Sequence, residues 1–312
     1  MQVNHIQNKV AISSLTLPVA TLFATLSWVA GDESTGMRHW IVWGLSLCMV
    51  YLLEEMNNAN SLIRVRTHLT AAVYMAGIGC CVFLQDFCLY SLVAPAVMIA
   101  CHLLFRTYQQ YQPVTGTFHA FLCLGLGMLV YPRLIGFVPF FFFCMAVYLR
   151  TFTFRTFKAG LVGVLLPFWF LMAWTLYVDD VDFWIRLWED VSHISLPEFK
   201  DYGMLTVAQL TAWGGLSLFS LVAVVRFLHT NYDDKIRTRM FFYIFILLHV
   251  FVQLLLIGMP QDFNALFGIL LACSAPLLAH FYALNHTRTA ALLFVLMVCW
   301  LVSLPVIALW IQ

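Results

Sequence analysis

The sequence predicts an all-α polytopic transmembrane bundle of about eleven spans, and three observations carry that reading. Apolar residues come in runs as long as the hydrocarbon core of a bilayer. Charged residues are nearly confined to the joints between runs, and lysines and arginines crowd alternate joints. The composition agrees: 62% of residues are hydrophobic and 10% charged, and mean hydropathy is +0.89. A soluble domain is roughly half apolar and a quarter charged.

The runs fall at 11–30, 40–56, 69–85, 89–106, 117–131, 133–149, 159–178, 204–227, 240–259, 264–284 and 289–311. Each is expected to be a helix, because backbone amides in hydrocarbon are satisfied only within a helix or a closed barrel. The alternating segments of a barrel are absent from the pattern. Run follows run so closely that no soluble segment is long enough to bury its own core, so 1–312 reads as a single transmembrane helical domain. The tightest joints are Gln85-Asp86 and Pro132-Arg133. At the start, Lys9 and the run after it read as a retained first span, since Gly31-Asp32-Glu33 follows without a small-x-small cleavage pattern.

Orientation follows from the basic residues, which are retained on the cytoplasmic side of a membrane. With the N-terminus cytoplasmic, Lys9, Arg64, Arg66, Arg106, Arg150, Arg155, Lys158, Arg226, Lys235, Arg237, Arg239 and Arg288 lie inside, and only Arg38, Arg133, Arg186 and Lys200 lie outside. The C-terminus is then outside. The outer segment 179–203 places Phe183, Trp184, Leu187, Trp188 and Val191 on one helical face opposite Asp182, Arg186, Glu189 and Asp190. That is the pattern of an amphipathic helix lying in the interface at about 180–195.

Several function classes are excluded or weakened. Net charge is +1, without the basic surplus of a nucleic-acid binder. The nine cysteines fall in or beside apolar runs and form no C-x-x-C pair, so no metal site is predicted and core packing is the expected role. No phosphate-binding loop, dinucleotide fingerprint or H-E-x-x-H points to a cofactor. Gly125 and Gly127, with Gly214 and Gly215, read as places of close helix approach. The expected partners are membrane lipids, a polyprenyl-linked saccharide or other membrane proteins.

Polar groups at membrane depth are costly and therefore informative. His249 and Gln253, four residues apart in the ninth run, share a helix face; an interhelical hydrogen bond is the first expectation, ahead of a proton relay or a metal ligand. His102, His119 and His280 lie near cytoplasmic helix ends, where their rings are expected to reach the headgroups.

The outer face gathers Asp32, Glu33, Asp86, Arg133, Asp179, Asp180, Asp182, Arg186 and Asp262. There an acid can serve as general base toward an acceptor hydroxyl while arginines neutralise a lipid-linked phosphate. On this reading Asp32, Glu33, Arg133 and Arg186 are catalytic candidates, and Asp179, Asp180 and Asp182 bind substrate. The Asp32-Glu33 pair resembles the first outer loop of membrane glycosyltransferases that use polyprenyl-phosphate sugars, although the loop here is much shorter. Solvated loop acids are the plainer account of the same residues.

Glu54-Glu55-Met56-Asn57-Asn58, then Leu62-Ile63-Arg64-Val65-Arg66-Thr67, then the stretch Phe118 to Arg133 and the phenylalanines after it resemble uncharacterised polytopic inner-membrane proteins of Bacteroidota. The resemblance implies a multi-pass protein of the cell inner membrane and no particular chemistry. Three classes stay open: a scaffold in envelope biogenesis, an enzyme acting on lipid-linked saccharides at the outer face, and a small-molecule transporter. The last needs a midplane site, and midplane polarity is almost confined to His249 and Gln253.

Overall fold

The structure is a computed structural model, which describes residues 6–30, 37–85, 88–179 and 201–310, with Trp184, Ile185 and Leu187 between the last two segments. Among the described residues every regular element is helical. Seven helices are long and apolar enough to cross a membrane: Leu89–Arg106, Pro132–Leu149, Phe154–Val178, Val207–Asp233, Ile236–Gly258, Pro260–Leu284 and Arg288–Ala308. Thr16–Val29, Leu69–Cys80 and Val114–Val130 are apolar but shorter, at 10–17 residues. The protein is thus a helical bundle built for a membrane. Most of the interfacial segment expected at 180–195 lies outside the described residues; within it, Trp184 Nε1 donates to Thr175 Oγ1 at 2.9 Å.

The helices gather into two compact units, 1–91 with 198–312, and 92–197. The first unit contains α1 (Ile6–Ile12), α2 (Thr16–Ala30), α3 (Met37–Asn60), α4 (Leu69–Cys80), α9 (Val207–Thr230), α10 (Ile236–Gly258), α11 (Phe263–Leu284) and α12 (Arg288–Trp310). The first apolar run, expected as one helix, is broken between α1 and α2. Side chains there compete with the helix for backbone groups: Leu15 N donates to Ser13 Oγ at 3.2 Å, and the Thr16 hydroxyl donates to Val10 O. Pro18, lacking an N–H, cannot carry the ladder across the break.

α11 is the axis of this unit. It packs against α4, α9 and α10 and is buried around nearly its whole circumference, as expected of a helix apolar on all faces. α9 starts with a reciprocal cap, Gln209 N to Thr206 Oγ1 at 3.2 Å and Thr206 N to Gln209 Oε1 at 2.9 Å. Gly215 lets α12 approach α9, since a Cβ there would overlap Trp300, whereas Gly214 faces open space and makes no such approach.

The second unit contains α5 (Val93–Arg106), α6 (Val114–Val130), α7 (Phe137–Cys144) and α8 (Phe154–Val178). α6 and α8 run parallel and nearly touch: a Cβ on Gly163 would lie 2.6 Å from Phe118 O, and one on Gly125 2.7 Å from Val164 O. Small residues permit this approach where burial alone gives no drive for helices to associate. The tight joint at Pro132 is a true turn. Tyr131 is extended at φ −134°, ψ 91°, and a 3-10 turn over Pro132–Gly136 leads into α7. α7 ends in a π-helical turn, Met145–Leu149, stopped by Arg150 in the left-handed region at φ 56°.

Candidate functional site

Each unit is electrically polarised along its helices. In the first, Gln7 Nε2 donates to Asn285 O at 2.8 Å, Arg64 meets Asp234, and Arg237 Nη2 donates to Asn60 Oδ1 at 3.0 Å. These contacts bring the start of α1, the α3–α4 linker and the turns before α10 and α12 to one basic end. The opposite end joins Tyr202 to Ile257 O and Gln209 to Asn264, with Arg38 its lone basic residue among the described ones. In the second unit Arg155 Nη1 donates to Gln112 Oε1 at 3.0 Å, on the end that also carries Arg150 and Lys158. Arg133 and Asp179 mark the other end, because α6 and α8 are parallel.

The site residues expected on the outer face are only partly described. Asp32, Glu33, Asp180, Asp182 and Arg186 lie outside the described residues, as does Asp86. Arg133 is half-buried in the turn after α6, and Asp179 closes α8 in the left-handed region at φ 62°. Asp262 sits in the first unit, in the turn before α11.

His249 and Gln253 tie three helices together. Trp213 Nε1 donates to Gln253 Oε1 at 2.6 Å, and Gln253 Nε2 donates to Ser217 Oγ at 2.7 Å. His249 Nδ1 lies 3.0 Å from Ser274 Oγ, and its Nε2 lies 3.1 Å from Ser220 Oγ and 3.4 Å from Gln253 Nε2. Gln253 Nε2 can only donate, which makes His249 Nε2 an acceptor and leaves Nδ1–H to donate to Ser274 Oγ, whose own hydrogen goes to Leu270 O at 2.6 Å. The ring is then neutral. Both ring nitrogens are engaged.

The basic end of the first unit is different. The chain passes from α9 through a 3-10 turn at Asn231–Asp233 to Asp234, whose carboxylate is buried. Asp234 Oδ2 is 2.9 Å from His280 Nε2 on α11. Its Oδ1 is 3.0 Å from Arg64 Nε, an ion-pair contact without hydrogen-bond alignment, while Arg64 Nη1 donates to Asp233 O at 3.2 Å. Phe227 and Phe242 stand edge-on to the His280 ring, with centroids at 5.2 and 4.6 Å. His280, expected to reach the headgroups, is instead buried and held by a carboxylate. Sequence reasoning passed over Asp234 because it lies between runs; its folding back onto α11 left no trace in local pattern.

Arg64, Phe227, Asp233 and His280 of this cluster line a cavity of about 220 Å³ that also touches Arg226, Thr230, Tyr232 and Asn285. Arg226, Phe281 and Asn285 belong equally to a groove of about 470 Å³ running along α9 and α12. On α9 the groove is lined by Leu221, Val222, Val225, Arg226 and His229, a stripe at helical spacing that turns from apolar to basic. Thr287 and Thr289 face it from the start of α12, and Leu293 lies one turn further along. The groove is apolar along Leu221, Val222, Val225 and Leu293, and the cavity beside it is polar, with Arg64 and Arg226 in its wall. A guanidinium there matches the geometry of a phosphate.

Among the described residues no three His, Cys, Asp or Glu side chains converge to hold a metal ion. The fold and this site define the class: a multi-helix membrane protein with a part-apolar groove beside a polar cavity at the basic end of its first unit. No family model, curated protein or solved structure matches the chain.

Proposed function

We propose that this protein crosses a cell inner membrane eleven times with its basic ends in the cytoplasm, and binds a phosphate-bearing amphiphile at the basic end of the first unit. The observation that carries the binding reading is the shared wall of Arg226, Phe281 and Asn285, which joins a polar, arginine-flanked cavity to an apolar groove. A polyprenyl-linked saccharide has this chemistry, a phosphate on a long apolar chain. The site favours its recognition from the cytoplasmic face. Arg226 is exposed and reaches both compartments, while Arg64 is half committed to Asp234, so Arg226 is the expected phosphate ligand.

The test is binding of farnesyl monophosphate to the purified full-length protein in nonionic detergent, with farnesol as the neutral control. Loss of a charged hydrogen bond is worth about 1.5–3 kcal/mol, so Arg226→Gln should weaken binding tenfold or more and leave Arg226→Lys intermediate. Equal affinity for farnesol and its phosphate would sink the reading.

The count of eleven is supported by the seven long apolar helices together with the three shorter ones and α3. The polarisation of each unit, taken separately, supports the orientation. A reporter active only outside the cytoplasm should work when fused after Gln312 and fail when inserted between Asn231 and Met240. The reverse pattern would invert the topology.

A further inference from the structure

A second groove in the first unit, formed by α1, α2, α4 and α12, takes no part in the site above. Its volume is about 550 Å³, within the roughly 300–1,000 Å³ of small-ligand pockets. The floor is made of small side chains, Ala20, Ala72 and Ala76. Beneath it α2 and α4 close together where a Cβ on Gly79 would overlap Ala24. Phe23 on one side and Phe294, Met297 and Leu301 on the other stand as bulky walls. The result is a slot with a floor of small residues between bulky apolar walls, a lining that suits a hydrocarbon chain.

Polarity along the slot is graded. Lys9, in the last turn of α1, and Ser13 and Thr16, at the break that follows, are its polar lining residues, and the rest of the lining is apolar. The Thr16 hydroxyl is spent on Val10 O, and Ser13 Oγ accepts from Leu15 N. The exposed ammonium of Lys9 remains, without a carboxylate partner among the described residues. It lies two residues from Gln7, which bonds the turn before α12, so it stands at the basic end of the unit, at the depth of lipid headgroups.

We infer that this groove holds one acyl chain of an anionic membrane lipid, with the headgroup phosphate against Lys9. The inference rests on the membrane-spanning reading and is independent of the site at Arg226. A zwitterionic lipid would fill the slot but gain less at its mouth, since a cation near the surface attracts anionic lipid by about fivefold per residue.

The experiment is native mass spectrometry of the full-length protein in nonionic detergent after exposure to phosphatidylglycerol or phosphatidylethanolamine. Phosphatidylglycerol should be retained in preference, and Lys9→Gln should cut that preference about fivefold. Ala76→Leu, which fills the floor, should release both lipids with little change in the unfolding midpoint of the lipid-free protein. As a readout on the unsubstituted chain, a phosphatidylglycerol carrying a diazirine in its tail should label α2, α4 or α12 along the slot. Labelling confined to other helices, equal retention of the two lipids, undiminished retention by Ala76→Leu with unchanged labelling, or a lipid-free dimer in place of the lipid-bound monomer would each overturn it.

Discussion

Two histidines of the first unit, His249 and His280, are both buried, and the difference between them lies in what surrounds their partners. His249 is enclosed by neutral groups: Ser274 accepts from Nδ1–H and Gln253 donates to Nε2, and the accounting closes on a neutral ring. His280 faces a carboxylate shared with an arginine from a linker more than two hundred residues earlier in the chain, and lines a cavity. A polar residue at membrane depth is expensive in either case. Where every lone pair and proton is matched by neighbouring helices, that cost is met by packing. Where the partners are charges held beside open space, the arrangement keeps capacity for a ligand.

The largest effect expected from breaking this comparison is at Asp234. Removing the Asp234 carboxylate takes away the hydrogen-bond partner of His280 Nε2, which is almost wholly buried, and a buried polar group left unpaired costs about 1–3 kcal/mol. Asp234→Ala should therefore lower the thermal unfolding midpoint in detergent sharply. Arg64→Gln should cost about 1 kcal/mol or less, because its side chain is 47% exposed and screened by water. If the two substitutions destabilise equally, the anchor is the linker contact and not the buried carboxylate, and the contrast between the two histidines loses its basis.

The helical architecture was legible because hydrocarbon permits so few backbone solutions. The runs at 240–259 and 264–284 became α10 and α11, and the shared face of His249 and Gln253 followed from four-residue spacing alone. The break at Ser13 was harder, since it depends on hydroxyls competing for carbonyls inside an apolar stretch. The basic-end site was least legible. The stripe of Leu221, Val222, Val225, Arg226 and His229 is visible as a period in the sequence, but its meaning depends on α12 lying opposite. Asp234 was hidden further, because a loop acid reads as solvated until the fold turns it inward onto His280.

The smallest expected effect is the sharpest test of the closed cluster, and it concerns the two serines that flank His249. Ser274 Oγ gives its hydrogen to Leu270 O and is the only described acceptor for His249 Nδ1–H. Ser220 Oγ sits near Nε2 but gives its hydrogen to Leu216 O at 2.6 Å, so Gln253 Nε2 is the donor to that nitrogen. Ser274→Ala thus leaves a buried N–H unpaired, whereas Ser220→Ala leaves Nε2 with its donor. Coupling energies between helices in membranes average about 0.6 kcal/mol and reach about 1.7. A double-mutant cycle with His249→Ala should give about 1 kcal/mol for the pair with Ser274 and a value near zero for the pair with Ser220, with farnesyl phosphate binding unchanged throughout. The opposite ranking would mean that Nε2 carries the proton. Nε2–H would then donate to Ser220 Oγ, whose own hydrogen goes to Leu216 O, and the Gln253 amide would keep Ser217 Oγ as its acceptor and Trp213 Nε1–H as its donor.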